Sequence, residues 1–500
     1  MMIESKPLVK KIMTEQGYYL YGARSNRLFR VTKIMYESID LLDQISEHEI
    51  IKRMSGQYSL NEIHQMLDTF NTLIKKYNFF SPGPLTQRVG EIGSEDIESQ
   101  LISGPQSLTL ELTEECNLRC KYCIYSGGYP SMRAHGHGKM TWPIAKAAID
   151  FYLRLNENAE RINIGFYGGE PLLQFTLIKQ ICEYVIGCEK LNQKHRSLLF
   201  SLTTNATLLT QDKLDFFIAN DFCLTISFDG PQEFHNQNRV DRKGRGTHEI
   251  VFTKLKKIYD QDPEYYEKRI LVNAVIAPPN RLFALQEFFE KYPHLFGRRM
   301  NFSSVDDGNQ DYMEKNPQYP DYQLDLNAIY NEFFQSHIDE NFNENQREKF
   351  SHKLLEYEFL RFFKRQILDH GFDELNRINT CIPGKRKLFV DTYGQFHICE
   401  RMTRQFPIGD INLGYDIKRI TYYVNEFNKV MNSYECRNCW AVQMCPICFT
   451  VGKDGKFKKE EVLKRCSSYL QTLDSILCMF CSIIEKKPGA FDYFNDYTLA

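Results

Sequence analysis

The sequence predicts an α/β fold, a sheet or partial barrel of parallel strands set in the middle of a longer chain. Three observations predict it. From Ser107 to about residue 310, apolar strand-like runs alternate with amphipathic helical stretches, and crossover helices of that kind cover the faces of a parallel sheet. The chain has 500 residues, enough for roughly two to four domains. Its 15 cysteines are unevenly spread, with three at 116, 120 and 123 and most of the others beyond 380, so the C-terminal part is a module of different composition.

Residues 18–31 read as a hairpin, two aromatic-rich strands around a turn at Arg24-Ser25-Asn26. Amphipathic helices are expected at 33–44 and 60–77. Ser59 is the expected N-cap of the second, with Glu62 in the capping-box position. Pro82-Gly83-Pro84 breaks the pattern, and the polar, acidic stretch to Gly104 reads as a linker. Six strands follow, at 108–112, 162–167, 198–204, 224–228, 270–276 and 300–305. Helices at 145–155, 172–186, 212–219, 249–259 and 282–289 separate them. Ligands of such a sheet sit at the carboxyl ends of its strands. Residues 306–380 read as polar loop and helix with no assignable chemistry. Short strands at 388–391 and 395–399 flank Tyr393-Gly394 in the cysteine-rich part.

Bulk composition narrows the function. A formal net charge of -2 offers no broad basic surface for nucleic acid, and Arg242-Lys243-Gly244-Arg245 reads as a solvated loop. No apolar run approaches the length that spans a bilayer, and residues 1–11 lack the apolar core of a signal peptide. A cytoplasmic location without membrane attachment is therefore expected. Reducing conditions there disfavour disulfides, so clustered cysteines point to metal.

Cys116-Asn-Leu-Arg-Cys120-Lys-Tyr-Cys123 directly follows the first strand of the repeat. Three thiolates in one loop can wrap a 4Fe–4S cube and leave its fourth iron open to an amine and a carboxylate. The alternative is a zinc knuckle with His135 or His137 as fourth ligand. At the next strand end stands Tyr167-Gly168-Gly169-Glu170-Pro171, where glycines let backbone approach a ligand and Glu170 can pair with an ammonium group. Thr203-Thr204-Asn205 ends the third strand. Ser227-Phe-Asp229-Gly-Pro231 ends the fourth, with Arg239 just beyond.

The C-x3-C-x2-C spacing, with Tyr122 before its last cysteine, resembles the signature of the radical S-adenosylmethionine (SAM) superfamily. That resemblance implies a partial (β/α)6 TIM-like radical SAM barrel over residues 105–310. It implies that Cys116, Cys120 and Cys123 hold the SAM-binding 4Fe–4S cluster. Gly168, Gly169 and Glu170 would hold the methionine amine, and Thr204, Asn205, Ser227 and Arg239 the ribose or carboxylate. The implied chemistry is one-electron cleavage of SAM to methionine and a 5′-deoxyadenosyl radical, which abstracts a hydrogen atom from the substrate. The protein's part is orientation, exclusion and tuning.

Beyond residue 380 the pattern runs Cys381, Gly394, Cys399, then Cys436-x2-Cys439-x5-Cys445-x2-Cys448, then Cys466. It resembles the SPASM domain, here 376–500, which carries two auxiliary 4Fe–4S clusters and brings the implied total to three. The chain departs from the family pattern in having two residues, not three, between Cys445 and Cys448. By resemblance, Cys436, Cys439, Cys445 and Cys466 hold the outer cluster and Cys381, Cys399 and Cys448 the inner one. Spacing alone would put all four of the central cysteines on one metal, and C-x2-C pairs also suit zinc. No cysteine lies between Cys223 and Cys381, so the inner cluster is expected to have an open iron, unless Cys478 or Cys481 fills it. Those two, like Cys182, Cys188 and Cys223, read as packing residues. Glu400 corresponds to a carboxylate that acts as base in sulfatase-maturing relatives, with an ordinary surface glutamate as the alternative.

Residues 1–95 resemble the winged-helix-like domain that captures leader peptides at an exposed strand edge, and 311–375 connect the barrel to the SPASM domain. A DNA-binding winged helix is the rival, against which the lack of a basic surface argues. Together these resemblances imply a maturase of a ribosomally made precursor peptide with a leader, forming cysteine-to-carbon thioethers and reduced by a flavodoxin or ferredoxin. The same parts would serve a carbon–carbon cross-linker, an epimerase or a sulfatase-maturing enzyme. A zinc-binding peptide adaptor is the non-enzymatic alternative.

Overall fold

A computed structural model describes residues 8–497 apart from 43–44, 80–84, 86–88, 130–131, 192–195, 298, 306–309 and 370–379. Pro82-Gly83-Pro84 and the first seven residues, on which two of the expectations rest, lie outside the described residues.

The chain opens with an antiparallel sheet of β1 (Val9–Met13), β2 (Tyr18–Gly22) and β3 (Arg27–Val31). The hairpin is as expected, with Asn26 at φ 57 in its turn; β1, which pairs with β2, is additional. Three helices pack on it, α1 (Lys33–Ser38), α2 (Glu47–Met54) and α3 (Leu60–Tyr77). The expected helix at 33–44 stops at Ser38, and α2 starts afresh behind a capping box of Ser46 and Glu49. The Ser59–Glu62 box caps α3, whose last turn closes on left-handed Asn78.

The stretch read as a linker holds α4 (Ser94–Leu101), with Ile97 and Leu101 buried. Residues 89–93 are strapped to a later helix by Asn425, Asn428 and Asn432, whose side chains bond the backbone of Ile92, Gly90 and Val89. Spaced three and four apart, these asparagines share one helix face.

Then comes the predicted alternation: β4 (Leu108–Thr113), α5 (Trp142–Leu155), β5 (Arg161–Gly168), α6 (Phe175–Leu191), β6 (Ser197–Thr204), α7 (Gln211–Ala219), β7 (Cys223–Ser227), α8 (Gln232–Asn238), α9 (His248–Gln261), α10 (Pro263–Arg269), β8 (Ile270–Ile276), α11 (Leu282–Lys291), α12 (Pro293–Phe296) and β9 (Met300–Ser304). Strands β4 to β9 are all parallel and lie side by side in sequence order. Phe166, Phe200 and Phe222 stack under the sheet, Phe200 and Phe222 with centroids 5.3 Å apart.

The region read as polar loop and helix is more ordered than expected: α13 (Gln310–Lys315), α14 (Tyr322–Ile338), α15 (Glu344–Arg347) and α16 (Phe350–Phe363). Its aromatics are the reason, since Phe333, Phe350, Phe359 and Phe362 are all buried. Next, β10 (Leu388–Val390), β11 (Gln395–His397), β12 (Gly409–Asp410) and β13 (Gly414–Tyr415) form an antiparallel extension. β10 lies parallel to β4, so one ten-stranded sheet runs β13-β12-β11-β10-β4-β5-β6-β7-β8-β9. Helices α17 (Ile417–Met431), α18 (Tyr434–Arg437) and α19 (Lys459–Lys486) complete the chain, with short 3-10 turns between.

One expectation is corrected. By length and composition α19 is one helix, among the described residues, that qualifies to cross a bilayer. Within it, Leu473, Ile476, Leu477, Phe480, Cys481 and Ile483 are buried against the protein, where α14, α16, α17 and β1 meet it. An apolar stripe of that spacing serves a core-facing helix.

Phe222→Ala, which empties the centre of the aromatic stack, should cost about 3–5 kcal/mol and lower the urea midpoint with an unchanged slope.

Candidate active site

Strand carboxyl ends leave their side chains and loops on one rim of a parallel sheet. That rim borders a cavity of about 1230 Å³. Cys116, Cys120 and Cys123 line it, together with Gly168 to Glu170, Thr204, Asn205 and Ser227 from the strand ends and Arg401, Thr450 and Arg465 from the C-terminal module.

The cysteine loop is strapped down at several points. Arg119 N–H donates to Val240 O at 2.7 Å and Lys121 N–H to Asn238 O at 3.1 Å. Arg119 and Arg242 both donate to Cys116 O, at 2.8 and 3.0 Å. Arg242, read as part of a solvated loop, is thus a support of the cysteine loop. Backbone N–H groups of Leu118 and Tyr125 donate to the sulfurs of Cys116 and Cys123, each at 3.4 Å. Burial, reinforced at Cys116 by Glu170, lifts the Cys116 and Cys120 thiols to about 12. Their protons therefore leave when metal takes their place.

The Gly-Gly-Glu segment is held by the same backbone. Gly169 N–H donates to Thr113 O at 2.7 Å and Glu170 N–H to Glu115 O at 2.8 Å. A Cβ on Gly168, at φ 135, would meet Thr113 O at 2.3 Å, and one on Gly169 would meet Glu115 O at 2.0 Å. The glycines are needed for this backbone approach as well as for any approach to a ligand. Glu170 is 1% exposed. It accepts from Thr204 Oγ1 at 2.7 Å, Asn205 N at 2.8 Å and Leu172 N at 3.0 Å. Burial raises its carboxyl above the ordinary value, against the lowering effect of these three hydrogen bonds and of the charge of Lys213. A ligand ammonium would supply an ion-pair partner.

Thr204 and Asn205 are committed within the protein. Thr204 holds Glu170, while Asn205 bonds Asn117 Oδ1 at 2.9 Å and Thr207, joining the third strand end to the cysteine loop. Ser227 lines the cavity. Arg239 and Tyr122 converge on one buried carboxylate, Asp229: Arg239 Nε donates to it at 2.9 Å and the Tyr122 hydroxyl donates to the same oxygen. The other Asp229 oxygen accepts from Val275 N at 3.0 Å. The strand-end run Ser227-Phe-Asp229 was the available signal for Asp229, which carries the placement of both neighbours.

In the C-terminal module, Cys399 and Cys448 lie close enough that Cys448 perturbs the Cys399 thiol, which burial pushes to about 12. Cys436 and Cys445 are buried, and Cys381, Cys439 and Cys466 partly so. Cys481 is buried in α19 as a packing residue, and Cys478 faces β1, bonding Met13 O. Glu400 is half-buried, its side chain 19% exposed. Lys387 Nζ lies 2.9 Å from its carboxylate, and that pairing holds the carboxyl below its ordinary value despite burial. Tyr125 hydroxyl donates to Glu400 O at 3.1 Å, tying the cysteine loop to the residue after Cys399.

Cys116, Cys120 and Cys123 line the one cavity together, thiols of the kind that hold an iron–sulfur cluster. His137 pairs with Glu115 at 3.1 Å and is exposed, while His135 lines the cavity.

Residues 110–263 match the Radical SAM superfamily, so the chain carries a radical SAM domain and is an enzyme. It is 27% identical over 233 residues to the cysteine-type anaerobic sulfatase-maturating enzyme of Clostridium novyi (strain NT), a match covering 46% of this chain and 60% of that one. It is 25% identical to the radical SAM cyclopropyl synthase TigE of Paramaledivibacter caminithermalis, across 44% of this chain and 47% of that one. Thus the chain spans only part of each relative's length. Among solved structures, native anSMEcpe with bound AdoMet and Cp18Cys peptide shares the fold, with a TM-score of 0.51 and 19% identity over 78% of this chain and 99% of that one.

Glu170→Gln should weaken SAM binding about 10- to 100-fold, the loss of a charge-assisted bond worth roughly 1.5–3 kcal/mol. Equilibrium dialysis checks this. For Glu400, the carboxyl lies below its unfolded value, so its pairing stabilises above that value and is lost as pH falls through the folded one. Lys387→Gln removes the largest of the contributions that oppose burial, leaving a backbone hydrogen bond and the charge of Arg401. The protonated-carboxyl stretch of Glu400 should then persist to higher pH in infrared difference spectra.

Proposed function

We propose that this protein is a radical SAM maturase that modifies a ribosomally made precursor peptide, forming thioether links from cysteine sulfur to carbon. The carrying observation is the 1230 Å³ cavity, lined together by the cysteine loop, the strand ends and the C-terminal module and wide enough for a peptide segment.

Cys116, Cys120 and Cys123 would hold the SAM-binding cluster. Cys436, Cys439, Cys445 and Cys466 would hold an outer auxiliary cluster, and Cys381, Cys399 and Cys448 an inner one, three in all. Bound cluster and SAM supply a 5′-deoxyadenosyl radical for hydrogen-atom abstraction. The chain's own residues do the rest. Glu170 orients the ammonium of SAM, with Thr204 and Asn205 fixing Glu170. Arg239 and Tyr122, held by Asp229, and Ser227 bound the remainder of the SAM site. Gly168 and Gly169 keep their segment against the cysteine loop.

The amino-terminal part supports a peptide substrate. β3 pairs on one side only, so its outer edge can take an extended leader as a further strand. A flavodoxin or ferredoxin as reductant and a cytoplasmic site of action complete the proposal. The second reading is formylglycine formation on a sulfatase, favoured by the Clostridium relative. Glu400 would be the base in that case, yet its salt bridge to Lys387 keeps its carboxylate occupied.

Anaerobic co-expression with a cysteine-containing candidate peptide tests the proposal. Loss of a pair of hydrogens per link, with equal loss of alkylatable thiols, is expected; Cys116→Ala should leave the peptide unchanged. Solvent deuterium at constant mass otherwise would indicate epimerisation, and a cysteine-to-aldehyde mass change would favour the second reading.

A further inference from the structure

A second cavity of about 250 Å³, with a lining that shares no residue with the first, lies where three parts of the chain meet: the turn at Asn26, the C-terminal end of α16, and the middle of α19. Its wall includes Gln443 and Met444, the residues immediately before Cys445. Two side chains clamp that backbone. Arg361 Nη2 donates to Met444 O at 3.2 Å, and the Tyr469 hydroxyl donates to the same oxygen at 2.7 Å. Tyr469 stands one turn beyond Cys466 on α19. The cavity therefore brings solvent next to the backbone that carries two cysteines assigned above to the outer cluster.

Its charge is one-sided. Arg361, Lys364 and Arg365 line it against a single carboxylate, Glu358, which Arg361 already engages at 2.9 Å. Among the described residues, Lys364 Nζ donates to Asn495 O at 3.0 Å and meets no carboxylate. Arg365 donates to Asn26 O and Phe362 O and lies over the Phe362 ring, with no carboxylate partner among the described residues. Burial pulls its guanidinium below the ordinary value. Exposed Gln366 marks the mouth. A cation without a counter-charge beside a surface opening favours an anionic partner, and complementary charge steers transient encounters.

We infer that this basic pocket is the docking site of the electron donor, a small carrier protein with an acidic face. This rests on the reading of Cys445 and Cys466 as cluster ligands. In the step it serves, the reduced carrier loses one electron and the outer cluster gains it; no atom or proton is transferred. The catalytic cavity also has a basic rim, but the peptide occupies that mouth during turnover. A separate entry lets donor and peptide be bound together. Redox encounters of this kind use small interfaces, so a few charges suffice.

The test uses the anaerobically reconstituted full chain with a flavodoxin as probe. Binding is followed directly, and 5′-deoxyadenosine release is driven in parallel by the flavodoxin or by dithionite. Lys364→Glu should weaken flavodoxin binding at least tenfold at low salt and flatten its salt dependence. Arg365→Gln should act in the same direction more weakly. Both should leave dithionite-driven release unchanged. Unchanged flavodoxin binding in both variants would overturn the inference. So would an equal fall of dithionite-driven release, which would place the effect inside the enzyme, or a fall in peptide affinity alone, which would give the pocket to the peptide. Lys364→Gln serves if the charge reversal lowers thermal stability. Failure of the underlying reading shows separately, as an iron content of the reconstituted chain left unchanged by Cys445→Ala and Cys466→Ala.

Discussion

Strand β10 lies parallel to β4, with Leu388 opposite Leu108 and Val390 opposite Leu110, and this register joins the C-terminal module to the parallel sheet. β4 would otherwise be the exposed edge of the parallel sheet, a liability for any chain. Covering it with β10 continues the sheet into the C-terminal hairpins. Because β11 runs antiparallel to β10, Cys399, two residues beyond β11, starts at the end of the sheet opposite the Cys116 loop, and side-chain contacts such as Tyr125 hydroxyl to Glu400 O, not the strand register, join the two.

Charged side chains reinforce that seam. Glu111, near the end of β4, is buried between Arg133 and Arg404. Arg404 also meets Glu114 at 2.6 Å and Asp391, and Asp391 pairs with His397. Arg133 in turn lies 3.7 Å over the ring of Tyr125. Buried pairs contribute little net stability against an apolar alternative, but removing one partner from such a pair costs about 3–5 kcal/mol. The network therefore acts as a register lock, tolerant of no sliding of β10 along β4. Tyr125, bonded to the carbonyl of Glu400, extends the lock into the cavity wall.

The candidate site has a division of labour that single motifs conceal. Residues expected at the ligand itself form two sets. Glu170 and Arg239 present charge toward the cavity, whereas Thr204 and Asn205 spend their hydrogen bonds holding Glu170 and the cysteine loop. Asp229 belongs with the second set. Such supports keep the first set within hydrogen-bonding reach without a flexible search, which is how preorganisation lowers the cost of binding.

Periodicity and local chemistry alone determined the six parallel strands, the helix caps at Ser59, the spacing of the cysteine loop and the strand-end positions of Gly168, Glu170, Thr204 and Ser227. Each depends on residues close together in the chain, so a local pattern suffices. The tertiary structure decided the rest. It turned the supposed linker into α4, because Asn425, Asn428 and Asn432 lie over three hundred residues away and only folding brings them to it. It paired Glu400 with Lys387 and set Arg242 against the Cys116 carbonyl, pairings that no spacing rule contains. It filled the region after residue 310 with core helices, since their aromatic faces find partners in elements as distant as β2, β9, α11 and α19. Long-range contacts repay the entropy of closing long loops only once the sheet exists to receive them, and that is why they leave no trace in a linear reading.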